Sequence, residues 1–177
     1  SVPIKTTPEI PPEAPISGVK FHDLDADGVR DVGEEGLEDW TIKLWKLDST
    51  WALVDTCITG EYGDYIFVVG SAGTYRINET LKQGWMQTAP PPPCYHQLDV
   101  ELGQVYTDLD FGNIELGSIS VAKFYDANVN GVWDYGEPPI EGWMVNLTGT
   151  NIRGDTIDEY AFTNASGKHT FEDLLPG

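Results

Sequence analysis

Asp23–Glu34 reads D-L-D-A-D-G-V-R-D-V-G-E, and Asp126–Glu137, 103 residues later, reads D-A-N-V-N-G-V-W-D-Y-G-E. Both segments carry side-chain oxygens at loop positions 1, 3, 5, 9 and 12 and glycine at position 6. Those are the offsets that wrap a short chain around a calcium ion. A hard cation of high coordination number needs many oxygens from one segment, a sharp turn in the middle and a carboxylate that closes bidentately. The sequence therefore predicts two cages and two calcium ions, one per segment. The first would use Asp23, Asp25, Asp27, the Val29 carbonyl, Asp31 and Glu34. The second would use Asp126, Asn128, Asn130, the Val132 carbonyl, Asp134 and Glu137. A single match could be a solvated acidic turn, but the pattern is repeated. Lys20–Leu44 and Lys123–Leu147 align without a gap, with 11 of 25 positions identical, which identifies an internal repeat rather than mere acidity.

Composition narrows the partners. The 177-residue chain has net charge −19 and only ten Lys and Arg, so it has no basic face for nucleic acid or anionic lipid. Its hydrophobic fraction of 40%, with six Trp, eight Tyr and six Phe, is ample for packed cores and argues against wholesale disorder. No apolar run approaches the roughly 20 residues of a membrane span. No secretory leader opens the sequence, as expected of a mature chain. Cys57 and Cys94 are too far apart for a metal or thioredoxin-like motif; an oxidising compartment would allow a disulfide between them. Asn78, Asn146 and Asn164 begin acceptor sequons for glycosylation.

Working outward from the loops, residues 1–16 hold five prolines and read as an extended linker. Residues 17–113 read as one β-sandwich repeat: strands at Gly18–His22, Trp40–Leu47, Trp51–Thr59, Asp64–Val69, Gly73–Asn78, Gln97–Leu102 and Tyr106–Phe111, with Pro90–Pro93 as a surface loop. Tyr65, Phe67 and Val69 alternate, and Trp40, Ile42 and Leu44 share a face, so both sets are expected in the core. Residues 114–117 form a short joint. Residues 118–177 repeat the first unit, with Ala122–Tyr125 entering the second loop and Trp143–Leu147 leaving it. That second unit is incomplete as written, ending where about three further strands follow in the first. The predicted fold is all-β: tandem antiparallel sandwiches with a cage between the first two strands of each.

The run K-F-x-D-x-[DN]-x-[DN]-G-V-x-D-x-G-E, then T-G-E-Y-G-D-Y-I-F, G-T-Y-R-I and a closing D-L-D-F-G-N, resembles the B-type repeats of the serine-aspartate surface adhesins. The resemblance covers residues 17–113 fully and 118–177 in part. It implies an Ig-like or prealbumin-like sandwich akin to the collagen-adhesin B domain, with EF-hand-like calcium loops, in an extracellular stalk. Collagen-adhesin relatives also imply a Lys–Asn or Lys–Asp isopeptide bond promoted by a glutamate, and Glu79 stands where such a glutamate would lie. Lys20, however, stands three residues before Asp23, which occupies the reactive lysine's place. Alternation with Val19 and Phe21 turns Lys20 to solvent. The expectation is therefore a calcium staple without an isopeptide.

Two other functions were weighed against a structural, calcium-stabilised module. Catalysis is disfavoured because His22, His96 and His169 are scattered and no nucleophile–base ordering appears. A carbohydrate-binding module would use Trp45, Trp51, Trp85 and Trp133 as a stacking platform, and a docking scaffold would bind a cell-surface protein. The stalk reading accounts for the linker, the tandem unit and the cages together, with neighbouring repeats of the same chain as partners.

Overall fold

A computed structural model describes residues 12–177, and every described regular element is a strand. They are β1 (Ala14–His22), β2 (Thr41–Leu47), β3 (Trp51–Ile58), β4 (Asp64–Val69), β5 (Gly73–Glu79), β6 (Trp85–Ala89), β7 (His96–Val100), β8 (Phe111–Glu115), β9 (Gly117–Ala122), β10 (Met144–Thr150), β11 (Thr156–Phe162) and β12 (Lys168–Leu174). Among the described residues no helix is long and apolar enough to cross a membrane. The chain divides into two compact units. One comprises residues up to Asp23 with Gly28–Leu81 and Gln87–Asn113; the other comprises Leu24–Asp27, Lys82–Met86 and Ile114–Gly177.

The first unit is a sandwich of two four-stranded sheets, ordered β4-β1-β8-β6 and β3-β2-β5-β7. Ala14 and Ile16 of β1 meet Tyr65, Phe67 and Val69 of β4, Phe111 of β8, and Ile42, Leu44, Tyr75, Ile77 and Val100 from the other sheet. The alternation in β4 is kept: its odd-numbered residues are buried while Ile66 and Val68 are exposed. β1 pairs antiparallel with β4, and β2 with β3 and β5, as does β5 with β7. β1 and β8 run parallel, with Lys20 opposite Phe111, Phe21 opposite Gly112 and His22 opposite Asn113.

Several boundaries differ from the sequence reading. Residues 1–11 of the expected linker lie outside the described residues, but Ala14–Ile16 belong to β1, where Ala14 and Ile16 are wholly buried. The run Tyr106–Phe111 is not one strand. Tyr106 makes only an isolated bridge to Ile16, Asp108 adopts a left-handed φ of 62°, and the strand begins at Phe111. β6 has no alternation and buries only Ala89, so no period announced it. Pro91–Pro93 are exposed, as a surface loop requires. The joint 114–117 is nearly all strand: Ile114 and Glu115 end β8, and Gly117 starts β9.

In the second unit β9 pairs with β12 and β10 with β11, repeating the β1–β4 and β2–β3 pairings. Residues 118–177 hold no counterparts of β5–β8. Trp143, at the position that matches Trp40 in the repeat, is half-exposed, whereas Trp40 is buried.

Candidate functional site

The two loops fold onto the same backbone. Positions 4, 6 and 11 are left-handed in both: Ala26, Gly28 and Gly33 have φ of 62°, 81° and 102°, and Val129, Gly131 and Gly136 have 61°, 78° and 94°. Glycine carries two of those turns without steric cost; Ala26 and Val129 hold theirs against the preference of a side chain with Cβ. Position 1 closes each turn, since Gly28 N–H donates to Asp23 Oδ2 at 2.8 Å and Gly131 N–H to Asp126 Oδ2 at 2.7 Å. Position 12 folds back in each: Asp31 N–H donates to Glu34 Oε2, and Asp134 N–H to Glu137 Oε2, both at 3.0 Å.

The corners that hold the loops are also duplicated. Lys20 N–H donates to Gly63 O and Leu37 N–H to Lys20 O; Lys123 and Ile140 repeat both bonds with Gly167 and Lys123. Thr59 Oγ1 accepts from Trp40 N–H and donates to Leu37 O, and Thr163 Oγ1 does the same for Trp143 and Ile140. These buried threonines fix where the chain leaves each loop. A lone Thr nineteen or more residues downstream carries no local signal, and sequence reasoning passed over both.

The side chains within the loops differ. In the first, one carboxylate oxygen each from Asp23, Asp25 and Asp27 lies within 4.8 Å of the others, and Asp23 is fully buried. Three carboxylates so close repel one another unless a cation stands between them, so the donor set fits a hard divalent ion. In the second, Asn128 and Asn130 turn their amide Nδ2 groups onto Asp134 Oδ2, at 2.8 and 2.7 Å, and hold that carboxyl below its usual range. Their Oδ1 atoms accept from the Asn130 and Val132 backbone N–H groups. To present amide oxygens to a cation, both side chains would have to turn over. Glu137 Oε1 accepts from Ala127 N–H at 2.8 Å, holding the loop closed meanwhile.

The largest departure from expectation is Lys20. It does not face solvent; it is wholly buried. Because β1 starts at Ala14, the core parity runs Ala14, Ile16, Gly18, Lys20, and Lys20 is an inward residue. Phe21 is buried too, on the other side of the strand. Its ring lies over Gly112, where a Cβ would meet Phe21 Cζ at 2.6 Å. The Lys20 amine is 2.5 Å from Asn113 Oδ1, 3.2 Å from Phe111 O and 3.2 Å from Glu79 Oε2, and it stands 4.4 Å from the centre of the Trp40 ring. Burial pushes the Glu79 carboxyl above its ordinary range; the Lys20 charge and the adjoining Asn113 amide pull it part of the way back.

Of the tryptophans considered for a sugar platform, Trp45 and Trp51 line one cavity together with Arg76 and Tyr95. The Arg76 guanidinium carbon stands 4.1 Å from the Trp51 ring centre and 3.8 Å from that of Tyr95. Trp45 donates its indole N–H to Asn78 Oδ1 at 2.7 Å, and Asn78 Nδ2, the nitrogen of that sequon, donates to Glu79 O at 3.0 Å. Trp133 stacks on Phe124 beside the second loop, and Trp85 lies in β6. Asn146 and Asn164 are exposed. Cys57 and Cys94 are both free thiols, and burial, helped by the Asp55 charge, pushes Cys57 up to about 11.

The model of the SdrD B-like domain matches residues 14–112 and again 115–177. The chain belongs to the SdrD B-like family. Serine-aspartate repeat-containing protein C of Staphylococcus aureus strain N315 is 28% identical over 167 residues, covering 89% of this chain and 17% of that protein. The bone sialoprotein-binding protein of Staphylococcus aureus is 26% identical over 175 residues, covering 94% of this chain and 15% of the relative. The chain thus spans about one sixth of the curated relatives it matches. Among solved structures, a streptococcal ancillary pilin (15% identity, TM-score 0.48, 92% of this chain and 50% of that one) and the minor pilin GBS52 of Streptococcus agalactiae (14%, 0.48, 93% and 80%) are similar. The SdrD B-like module is an extracellular, cell-surface one.

Proposed function

We propose that the chain is a non-catalytic stalk segment whose two SdrD B-like modules are stiffened by calcium, one ion per loop. The observation that carries this is the duplicated loop backbone. Two segments of different side-chain content keep the same three left-handed positions and the same capped carboxylates at positions 1 and 12. Asp23, Asp25, Asp27, the Val29 carbonyl, Asp31 and Glu34 would hold one ion. Asp126, Asn128, Asn130, the Val132 carbonyl, Asp134 and Glu137 would hold the other. The ion would supply charge neutralisation and a fixed corner, not chemistry on a substrate. Neutralising the crowded carboxylates makes binding free energy into folding free energy by mass action. Sites with dissociation constants of about 10⁻⁴–10⁻³ M suffice outside the cell, where calcium is plentiful. No helix flanks either loop, so binding has no helix pair to swing open and the ion is structural rather than a signal.

Neighbouring modules of the same chain are the natural partners of a stalk. Thermal melting in millimolar calcium and in excess chelator tests the proposal. The chelated protein should melt at least several degrees lower, and superimposable curves would refute it.

A further inference from the structure

We infer that Asn130 is a self-modifying residue: the Gly131 backbone nitrogen closes on Asn130 Cγ, ammonia leaves, and water opens the ring to an acid at position 5 of the second loop. The chain holds seven asparagines, and Asn130 alone is followed by glycine. A side chain at the next residue crowds the peptide nitrogen, whereas glycine leaves it open to a neighbouring carbonyl carbon. The surroundings are open as well. Nothing lies within 4 Å of where a Gly131 Cβ would stand, and Asn130 itself is exposed, so water reaches it.

The loop sets out the groups that such a ring closure uses. Asn130 Oδ1 accepts from Val132 N–H at 2.7 Å, an Asx turn that curls the carboxamide back over the Asn130–Gly131 peptide. The same N–H can hold the charge that gathers on Oδ1 as a bond to Cγ forms. Gly131 N–H donates to Asp126 Oδ2 at 2.7 Å, so a carboxylate already faces the proton that must leave. Nδ2, the nitrogen that departs, donates to Asp134 Oδ2 at 2.7 Å, which fixes the amide in its present sense. Held in one short loop, the nitrogen and the carbon meet without a search through open chain conformations.

Water is the sole co-reactant. The Gly131 nitrogen gives up its proton and bonds to Cγ; the Cγ–Nδ2 bond breaks, and Nδ2 leaves as ammonia, having gained a proton in return. Water then adds to one of the two ring carbonyls. Attack at Cγ restores the ordinary main chain and leaves aspartate at 130. Attack at the Asn130 main-chain carbonyl carbon leaves isoaspartate, which lengthens the backbone of the turn by a methylene. Nothing is oxidised or reduced.

The first loop shows what the aspartate product resembles. There position 5 is already Asp27, ahead of Gly28, and its carboxylate gathers with those of Asp23 and Asp25. Conversion of Asn130 would remove one of the two amides that hold Asp134 and place a negative charge beside that carboxylate. The second loop would then match the first at position 5 and have more need of a cation. That consequence rests on the calcium reading given above; the ring closure and its mass change do not. An ion that takes Asn130 Oδ1 as a ligand would compete with Val132 N–H for that oxygen, so calcium should slow the conversion.

Tandem mass spectrometry of digests tests this, taken over time from the folded chain in chelator, in millimolar calcium, and unfolded in urea. In chelator, Asn130 should first lose ammonia and then gain the mass that separates an acid from an amide, while Asn128, Asn146 and Asn151 stay amides. Gly131→Ala should slow the change by roughly tenfold. Slower conversion in calcium supports both this inference and the calcium cage. Equal rates with and without calcium support this inference and count against the cage. An Asn130 that is still an amide in the folded, chelated protein after the urea-unfolded chain has converted would overturn the inference. The wild-type time course decides the matter even where the alanine variant fails to fold.

Discussion

The two loop corners share a backbone and its anchoring hydrogen bonds but differ in how deeply their side chains are buried. In the first unit, Trp40 is buried over Lys20, Asp23 is fully buried, and three carboxylates crowd together. In the second, Trp143 is half-exposed, and the loop's amides already satisfy Asp134. The loop conformation is therefore encoded locally, by glycine, Asx side chains and the closing glutamate. The strength with which it is held depends on the sandwich behind it. A β-sheet face gains its stability from the opposing sheet, and residues 118–177 include counterparts of only β1–β4.

The contrast is sharpest at the paired tryptophans. Trp40→Ala should cost about 3–5 kcal/mol, since a fully buried indole is lost along with its contact to Lys20. Trp143→Ala should cost about 1 kcal/mol or less, read in both cases by denaturant unfolding with each unit's transition followed separately. Equal costs would mean that the second core is as complete as the first. A smaller effect separates the cages. Glu34→Gln and Glu137→Gln should each weaken their own site by roughly tenfold, about 1.4 kcal/mol, and leave the other unchanged in calcium titrations. The wild-type first site should be the tighter, because its five carboxylates face three in the second and its ligands need no amide reorientation. A tighter second site would show that crowding among Asp23, Asp25 and Asp27 outweighs their charge.

Much of this was legible in the sequence, for identifiable reasons. The alternation of Tyr65, Phe67 and Val69 and the repeat of Lys20–Leu44 in Lys123–Leu147 are short-range patterns, and both hold in the fold. What failed depended on parity or on distant strands. Taking residues 1–16 as linker hid the fact that Ala14 and Ile16 set the inward face of β1, and so turned Lys20 outward. Its partners Glu79 and Asn113 lie on β5 and β8, and no spacing rule joins three strands of two sheets. Likewise β6 shows no period because only Ala89 is buried, and the left-handed Asp108 broke a run that looked continuous. The exposure of Trp143 follows from strands that residues 118–177 do not include, which the Trp–Leu motif cannot reveal by itself.

Calcium stoichiometry of the folded chain is the most direct check on this account. Equilibrium dialysis against millimolar calcium, read by elemental analysis, should give two ions per chain, falling to one in either the Glu34→Gln or the Glu137→Gln protein at a concentration between the two affinities. A folded wild-type chain that retains no calcium would contradict it.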